Sequence, residues 1–297
     1  MWHKMIFKFI RKVKIFLTSL YLSVIYFLKA CVSRQNLHDG NADFIISLTT
    51  YGRRFDFVFL TIESILAQSI KPAKIYLWVY KKDKPSFLSR YFLNKQLKRG
   101  LIIKYVDEDI KSYKKLSYIL NVKRDFKYVI TADDDVFYPR DWLRGFVEHP
   151  RIGQSILCYR GRVITFEKRS DNLVSYKSWP LASEIDNDSN AILPTGVSGV
   201  CYPVQSLDLR ISDFNSIQKL CPYADDIWYK LLTTSNGYNS LVLKSNNSHY
   251  PPLITSLAKG LEKINVGQEL NIKQFSNSLD YFGLQKKDFI TSVSRYE

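Results

Sequence analysis

Hydrophobic and polar positions change period several times along this chain, and the changes divide it. Met5-Ile6, Phe9-Ile10 and Val13 alternate with Lys8, Arg11, Lys12 and Lys14 at helical spacing, and an uncharged run from Ile15 to Leu28 follows before Lys29. That pattern predicts a basic amphipathic helix lying in a membrane interface. The uncharged run has 14 residues, short of the ~18 that a spanning helix needs. A short span and a cleaved signal peptide are the other readings. Against the signal peptide, the charges are interleaved rather than grouped, and KACVSRQ offers a poor small-x-small site. Asn36 to Asn41 is a polar break that reads as a linker.

Beyond the linker, apolar runs of strand type alternate with segments of helical period. Phe44 to Leu48, Ile75 to Tyr80, Leu101 to Val106 and Tyr128 to Thr131 read as buried strands. Phe57 to Gln68, Phe87 to Leu97 and Lys115 to Val122 read as the helices between them. Strands joined by helices imply parallel pairing and an open α/β sheet, with ligands bound beyond the carboxyl ends of the strands. The second half differs. Ser155 to Phe166 alternates like a strand, Leu193 to Pro203 is strand-rich and punctuated by Gly and Pro, and Asp225 to Leu232 opens a helix. For residues 261–297 only a terminal helix is expected.

Charge changes the picture in two places. The chain carries +15 over 297 residues. Residues 1–34 hold seven basic residues and no acid, and residues 81–100 hold seven against Asp83 alone. Two local patches suit an anionic membrane surface better than a groove lined throughout for nucleic acid. Cys31, Cys158, Cys201 and Cys221 show no CxxC pairing and no zinc-like spacing with the histidines, so a reduced, cytoplasmic setting is expected.

The candidate chemistry centres on Asp133, Asp134 and Asp135, which follow the fourth strand directly. Three adjacent carboxylates repel one another and raise each other's pKa unless a cation is present. Mg²⁺ or Mn²⁺ takes oxygen ligands and keeps positions open for phosphate oxygens. In extended chain, positions i and i+2 point the same way, so Asp133 and Asp135 are expected on one face and Asp134 on the other. A solvated acidic turn or helix cap is the alternative.

The segment TADDDVFYP resembles the Asp-x-Asp signature of glycosyltransferases with the glycosyltransferase A fold. ISLTTYGRR, TIESILAQSIKPAKIYLWV and YVDEDIKSYKKL resemble, in order, the nucleotide-binding half of family 2-like bacterial enzymes. PTGVSGVCYP resembles their Gly-containing acceptor loop, and CPYADDIWYKLL the acidic motif that supplies the base in inverting members. The likeness covers roughly residues 42–252. It departs from the pattern in having Asp-Asp where Glu-Asp is common and in lacking the Gln-x-x-Arg-Trp signature of processive synthases.

The resemblance implies an open mixed α/β sheet with helices on both faces, 42–140 the nucleotide-binding half and 141–260 the acceptor half. The pattern of residues adds the amphipathic membrane helix ahead of it, in a membrane-associating segment 1–35, and a helical extension over 261–297. It also implies site residues. Thr49, Thr50, Tyr51 and Arg53 would meet the nucleobase and ribose, with Arg53-Arg54 otherwise a solvated pair. Asp107 would touch base or ribose, or simply cap a turn. Lys115 would reach the diphosphate, with Lys111 and Lys114 as rivals. Asp133 and Asp135 would serve as metal ligands with Asp134 beside them, and His249 would be a further ligand suited to Mn²⁺. Asp226 would be the general base and Asp225 an orienting acid, unless the pair only caps its helix. Gly196, Ser198 and Gly199 would approach the sugar, and Trp179 and Trp228 are candidates for stacking on it.

The reading is a metal-dependent, inverting, non-processive glycosyltransferase using Mn²⁺ or Mg²⁺. It would move one sugar from a nucleotide-diphosphate donor to a surface glycan or lipid-linked acceptor at the cytoplasmic membrane face, without a nucleic-acid partner. A metal-dependent nucleotidyltransferase or phosphodiesterase and a basic nucleic-acid-binding protein are the alternatives.

Overall fold

A computed structural model of the chain describes residues 2–37, 42–122, 125–167, 172–183, 188–243, 250–257 and 270–290. The apolar runs become the centre of a seven-stranded sheet. β1 (Phe44–Thr50) pairs in parallel with β2 (Lys74–Tyr80) on one side and β4 (Tyr128–Ala132) on the other, and β3 (Leu101–Val106) pairs in parallel with β2. Beyond β4 the sheet turns mixed. β8 (Val200–Pro203) lies antiparallel between β4 and β5 (Ile156–Cys158), and β9 (Ser240–Val242) pairs in parallel with β5 at the edge. The order is β3-β2-β1-β4-β8-β5-β9, with β6 (Gly161–Val163) and β7 (Ile192–Pro194) forming a separate antiparallel pair.

Strand pleating sends alternate residues to opposite faces, and here both faces are covered, so the central strands are apolar at nearly every position. Ile46, Leu48, Ile75, Leu77 and Ile130 face one core, and Ile45, Trp78 and Val129 the other. The first core is closed by α2 (Val58–Leu66), α3 (Phe87–Leu97), α5 (Trp142–Val147) and the C-terminal half of α1 (Trp2–Val32). The second is closed by α4 (Lys114–Ser117), α6 (Phe214–Leu220), α7 (Asp225–Ser235) and α8 (Leu270–Phe282).

Several expectations are corrected. The helix expected from Lys115 to Val122 is one short turn, α4, between two 3₁₀ turns. The Ser47 hydroxyl donates to the Lys115 carbonyl, an acceptor that a continuing helix would use. The strand expected over Ser155 to Phe166 breaks at Tyr159-Arg160 into β5 and β6, which belong to different sheets. Trp179 and Trp228 are buried, their indole N–H groups donating to the Val174 and Arg210 carbonyls, so neither offers a sugar platform. The charges at Lys14 and Lys29 do not interrupt α1. Its stretch Met5–Val32 is, by length and composition, long and apolar enough to cross a membrane.

One buried ion pair ties α1 to the sheet domain. Glu63 of α2 and Arg99, after α3, are 1% and 5% exposed and meet through two parallel bonds of 2.8 Å. Gln96 adds a third bond to Glu63, and Arg99 also donates to the Gln35 carbonyl and the Ser33 hydroxyl. Arg99 therefore leaves the surface patch to which its sequence neighbours belong. Removing one partner strands the other charge in the core, which typically costs ~3–5 kcal/mol. Arg99→Ala is expected to lose about that much in urea denaturation. A loss under about 1 kcal/mol would show that water reaches this pair.

Candidate active site

β4 ends at Ala132, and the three aspartates that follow do not continue its pleat. The Asp133 N–H donates to the Tyr138 hydroxyl at 2.7 Å, folding the chain back within five residues. The Asp135 carbonyl accepts from Leu253 N–H at 2.7 Å, which lays the segment from Tyr250 to Leu257 alongside. At this bend Asp134 and Asp135 share one partner. Arg54 reaches the Asp134 carboxylate with one guanidinium nitrogen and the Asp135 carboxylate with the other, each at 2.8 Å. Thr50 donates to the second Asp134 oxygen at 2.6 Å, and Thr61 to its carbonyl at 3.0 Å.

Asp133 faces a second group. Lys115, buried in α4, lies 3.7 Å from Asp133 and 2.9 Å from Asp225. Asp225 also accepts from the Ser112 hydroxyl at 2.8 Å, and Asp226 accepts from the Gly196 N–H at 3.0 Å. Both acids lie in the first turn of α7, yet neither is its cap. The capping position is Ala224, with no side-chain cap bond. A Cβ on Gly196 would come within 2.9 Å of the Lys115 ammonium and 3.0 Å of Asp226, so a larger residue there would make these side chains shift.

The electrostatics follow from counting. Among the described residues, the cations that act on Asp133, Asp134, Asp135, Asp225 and Asp226 in this cluster are Arg54 and Lys115. Burial and the neighbouring Asp134 lift Asp135 to a pKa of about 7, against the pull of Arg54. Burial and Asp225 lift Asp226 to about 7, against the pull of Lys115 and the Gly196 N–H. Asp134 is raised in the same direction by burial. Burial depresses the Lys115 ammonium, but Asp225, Asp133 and Asp226 outweigh it and hold its pKa well above the usual lysine value. The cluster thus has room for added positive charge, as protons or as a cation.

Beside it, past the carboxyl ends of β2 and β3, lies a cavity of about 520 Å³ lined by Tyr80, Asp107, Asp109, Lys111, Tyr113 and Tyr223 among others. The 3₁₀ turn Lys111–Tyr113 separates this cavity from the carboxylates, with Ser112 bonded to Asp225 and Tyr113 lining the cavity. Lys111 sits over the Tyr223 ring at 3.9 Å.

The other expected residues fall as follows. Tyr51 is part-exposed with Arg54 over its ring at 5.3 Å. Thr49 donates to the Trp78 carbonyl inside the sheet. Arg53 is exposed, whereas Arg54, on the same 3₁₀ turn Gly52–Asp56, reaches the aspartates after β4. Asp107 is on the cavity rim, paired with Lys81 at 2.7 Å. Lys114 is fully buried against Asp109. Gly199, at φ +92°, presses on the Trp142 indole and does not face the carboxylates. His249 lies outside the described residues. Sequence reasoning missed Ser112, and its only signal was its place in the polar turn ahead of Lys115.

No family model matches the chain, and no curated protein matches it by sequence. Among solved structures it resembles the mannosyltransferase PcManGT from Pyrobaculum calidifontis, in complex with GDP-Man and Mn²⁺. The TM-score is 0.50 at 11% identity over 90% of this chain and 74% of that one. It also matches S. aureus TarS residues 1–349 (TM-score 0.44, 14% identity, 80% of this chain and 72% of that one). A 4-diphosphocytidyl-2C-methyl-D-erythritol synthase from Anaerococcus prevotii gives TM-score 0.46 at 11% identity, over 79% and 98% of the two chains. The likeness to the mannosyltransferase is one of fold, a mixed α/β arrangement that in this chain is built around an open seven-stranded sheet.

Asp135 and Asp226 bind protons in the folded state up to about pH 7, whereas an unfolded aspartate releases its proton near pH ~4. Their contribution to stability is complete below pH ~4 and is lost as pH rises to about 7. In melting curves across that range, Asp135→Asn and Asp226→Asn are each expected to lose less stability with rising pH than the parent protein. Slopes as steep as the parent's would remove these two groups as the cause.

Proposed function

We propose that the chain is a metal-dependent, inverting, non-processive glycosyltransferase. In this reading residues 42–140 bind a nucleotide-diphosphate sugar and residues 141–260 present a hydroxyl of a glycan or lipid-linked acceptor. The observation that carries it is the meeting of Asp226, lifted to a pKa of about 7, with an under-compensated carboxylate run at the end of a central parallel strand.

A general base works best when its pKa lies near the working pH. Asp226 is held in place by the Gly196 N–H, with Lys115 and Asp225 behind it. Ionised, it takes the proton from the acceptor hydroxyl as that oxygen attacks the anomeric carbon. The sugar–phosphate bond breaks on the opposite side, and the nucleoside diphosphate leaves with the bonding pair. Lys115, fixed and charged, stabilises negative charge developing at its end of the cluster. Asp107 and Tyr80, on the rim of the 520 Å³ cavity, would contact the nucleoside.

Asp133 and Asp135 are the residues that would hold Mn²⁺ or Mg²⁺, with His249 a further candidate ligand. Asp133 keeps its carboxylate 29% exposed with its nearest cation at 3.7 Å, and Asp135 is under-compensated, so both fit an added cation. Among the described residues no group of three or more Asp, Glu, His or Cys side chains is arranged to hold an ion; in this reading one or two carboxylates hold it and phosphate oxygens complete the set. The ion supplies neutralisation of charge on the departing diphosphate. The N-terminal helix would keep the enzyme at the cytoplasmic face of the membrane.

The test is twofold. UDP or GDP is expected to raise the melting temperature with Mn²⁺ present and not without it. Asp226→Asn should keep that shift while sugar transfer falls by about 10²–10⁴, and parental transfer should rise with pH to a plateau above about 7. Unchanged transfer by the variant overturns the assignment of the base. Pyrophosphate release from a nucleoside triphosphate and a sugar phosphate would overturn the reaction class.

A further inference from the structure

Two basic stretches far apart in the chain lie on one face of the fold. α1 runs alongside α3. Phe27 packs edge-on against Phe92 at 5.3 Å, and the Lys95 ammonium donates to the Cys31 carbonyl. Between them is an apolar groove of about 530 Å³, lined by Val24, Phe27 and Leu28 of α1, Phe57 and Leu60, and Leu88 of α3. At its edge the first turn of α3 leaves Phe87 87% and Leu88 53% exposed, with Tyr91 one turn on at 55%. Lys82, Lys84, Arg90 and Lys98 are exposed on the same segment, as are Arg11, Lys12, Lys14 and Lys29 on α1.

The docking of α1 decides what this face can meet. Its Ser19, Tyr26 and Ala30 are buried on the domain, at intervals that form one helical stripe, and the first of these is Ser19. Residues Trp2 to Thr18 extend about 25 Å at ~1.5 Å per residue, less than the ~30 Å of a hydrocarbon core. They also carry Lys4, Lys8, Arg11, Lys12 and Lys14, which are costly inside it. The apolar half that suits lipid, Ile15 to Leu28, is the half that packs along the domain. Wherever that half meets lipid, the neighbouring surface of α3 meets it too.

We infer that this face seats the domain on an anionic phospholipid bilayer, with α1 lying in the interface and Phe87 and Leu88 inserted beside it. Exposed aromatics ringed by lysine and arginine match the chemistry of that surface, apolar below the headgroups and anionic at them. The inference rests on the reading of α1 as a membrane helix and makes α3 a second contact. The 3₁₀ turn that carries Arg54 also carries Asp56, which accepts from the Ser86 N–H at 2.6 Å at the start of α3. The carboxylate cluster is thereby one turn of chain from the bilayer surface.

Site-directed spin labelling of the full chain tests this. Cys31 is exposed and the other three cysteines are buried, so Cys31→Ser supplies the background. Labels are placed by Leu17→Cys on α1, Leu88→Cys on α3, and Leu209→Cys, which is 78% exposed on the opposite side of the sheet. On vesicles of phosphatidylcholine with phosphatidylglycerol, positions 17 and 88 should gain accessibility to oxygen and lose it to a water-soluble nickel chelate. Position 209 should stay aqueous. Lys84→Glu with Arg90→Glu should weaken vesicle binding at least about tenfold. Position 17 in lipid with position 88 in water overturns the inference and leaves α1 a simple tether. Both in water removes the membrane reading as well, and equal insertion into pure phosphatidylcholine removes the anionic requirement. Nucleotide-dependent melting of the same labelled proteins reports separately on the proposed enzyme function.

Discussion

Arg54 grips two consecutive carboxylates at the end of β4, and the local architecture follows from that contact. Its guanidinium fork can satisfy Asp134 and Asp135 together only because the chain bends after Ala132, and the bend is held by the Tyr138 hydroxyl and the Leu253 N–H. Arg54 follows β1, Lys115 precedes β4, and Asp225 and Asp226 belong to α7 beyond β8. The parallel core must therefore assemble before these charges can meet. Two cations do not balance five carboxylates, and burial holds Asp135 and Asp226 ready to take up a proton near neutrality. A site that keeps unmet demand for positive charge sacrifices some stability to bind something else.

The central strands were legible in the sequence because both faces of the sheet are covered. Continuous apolar runs such as IYLWVY admit only a buried strand or a buried helix, and their length and flanking turns decide for strand. The far side of the sheet was not legible. β5, β8 and β9 are three or four residues long and pair with partners distant in sequence, so no local period marks them. The site was half legible for the same reason. Acids at a strand end and at a helix start are visible as residue types, and both sets do converge on Lys115. Which arginine of Arg53-Arg54 turns inward, and which aspartates share a partner, depends on a 3₁₀ turn and a bend. The alternation rule does not reach past the end of extended chain.

The same limit applies to α1. Read as a string, its charges at Lys14 and Lys29 cut the apolar run to 14 residues. As a helix it carries on through both, and Glu63–Arg99 fastens the chain just beyond it through Ser33 and Gln35. The segment is thereby fixed to the domain at one end and exposed at the other. The membrane contact proposed above is therefore a property of the folded surface, shared with α3, rather than of one hydrophobic stretch.

The two glycines of TGVSGV show how one motif can answer two constraints. Gly199 has φ +92°, which L side chains rarely adopt, and a Cβ there would stand 2.6 Å from the Trp142 indole. Both its conformation and its space serve the core. Gly196 has no left-handed φ to explain it. It is small because Lys115 and Asp226 close over it, and its N–H must come near enough to bond the carboxylate. Any side chain at 196 would press on the Lys115 ammonium and the Asp226 carboxylate without straining its own backbone. The spacing of the two glycines follows from the short 3₁₀ turn Gly196–Ser198, which places one at the charged cluster and the other against the aromatic core. The loop thus stands between the packing around Trp142 and the carboxylate proposed as the base, touching one with each glycine.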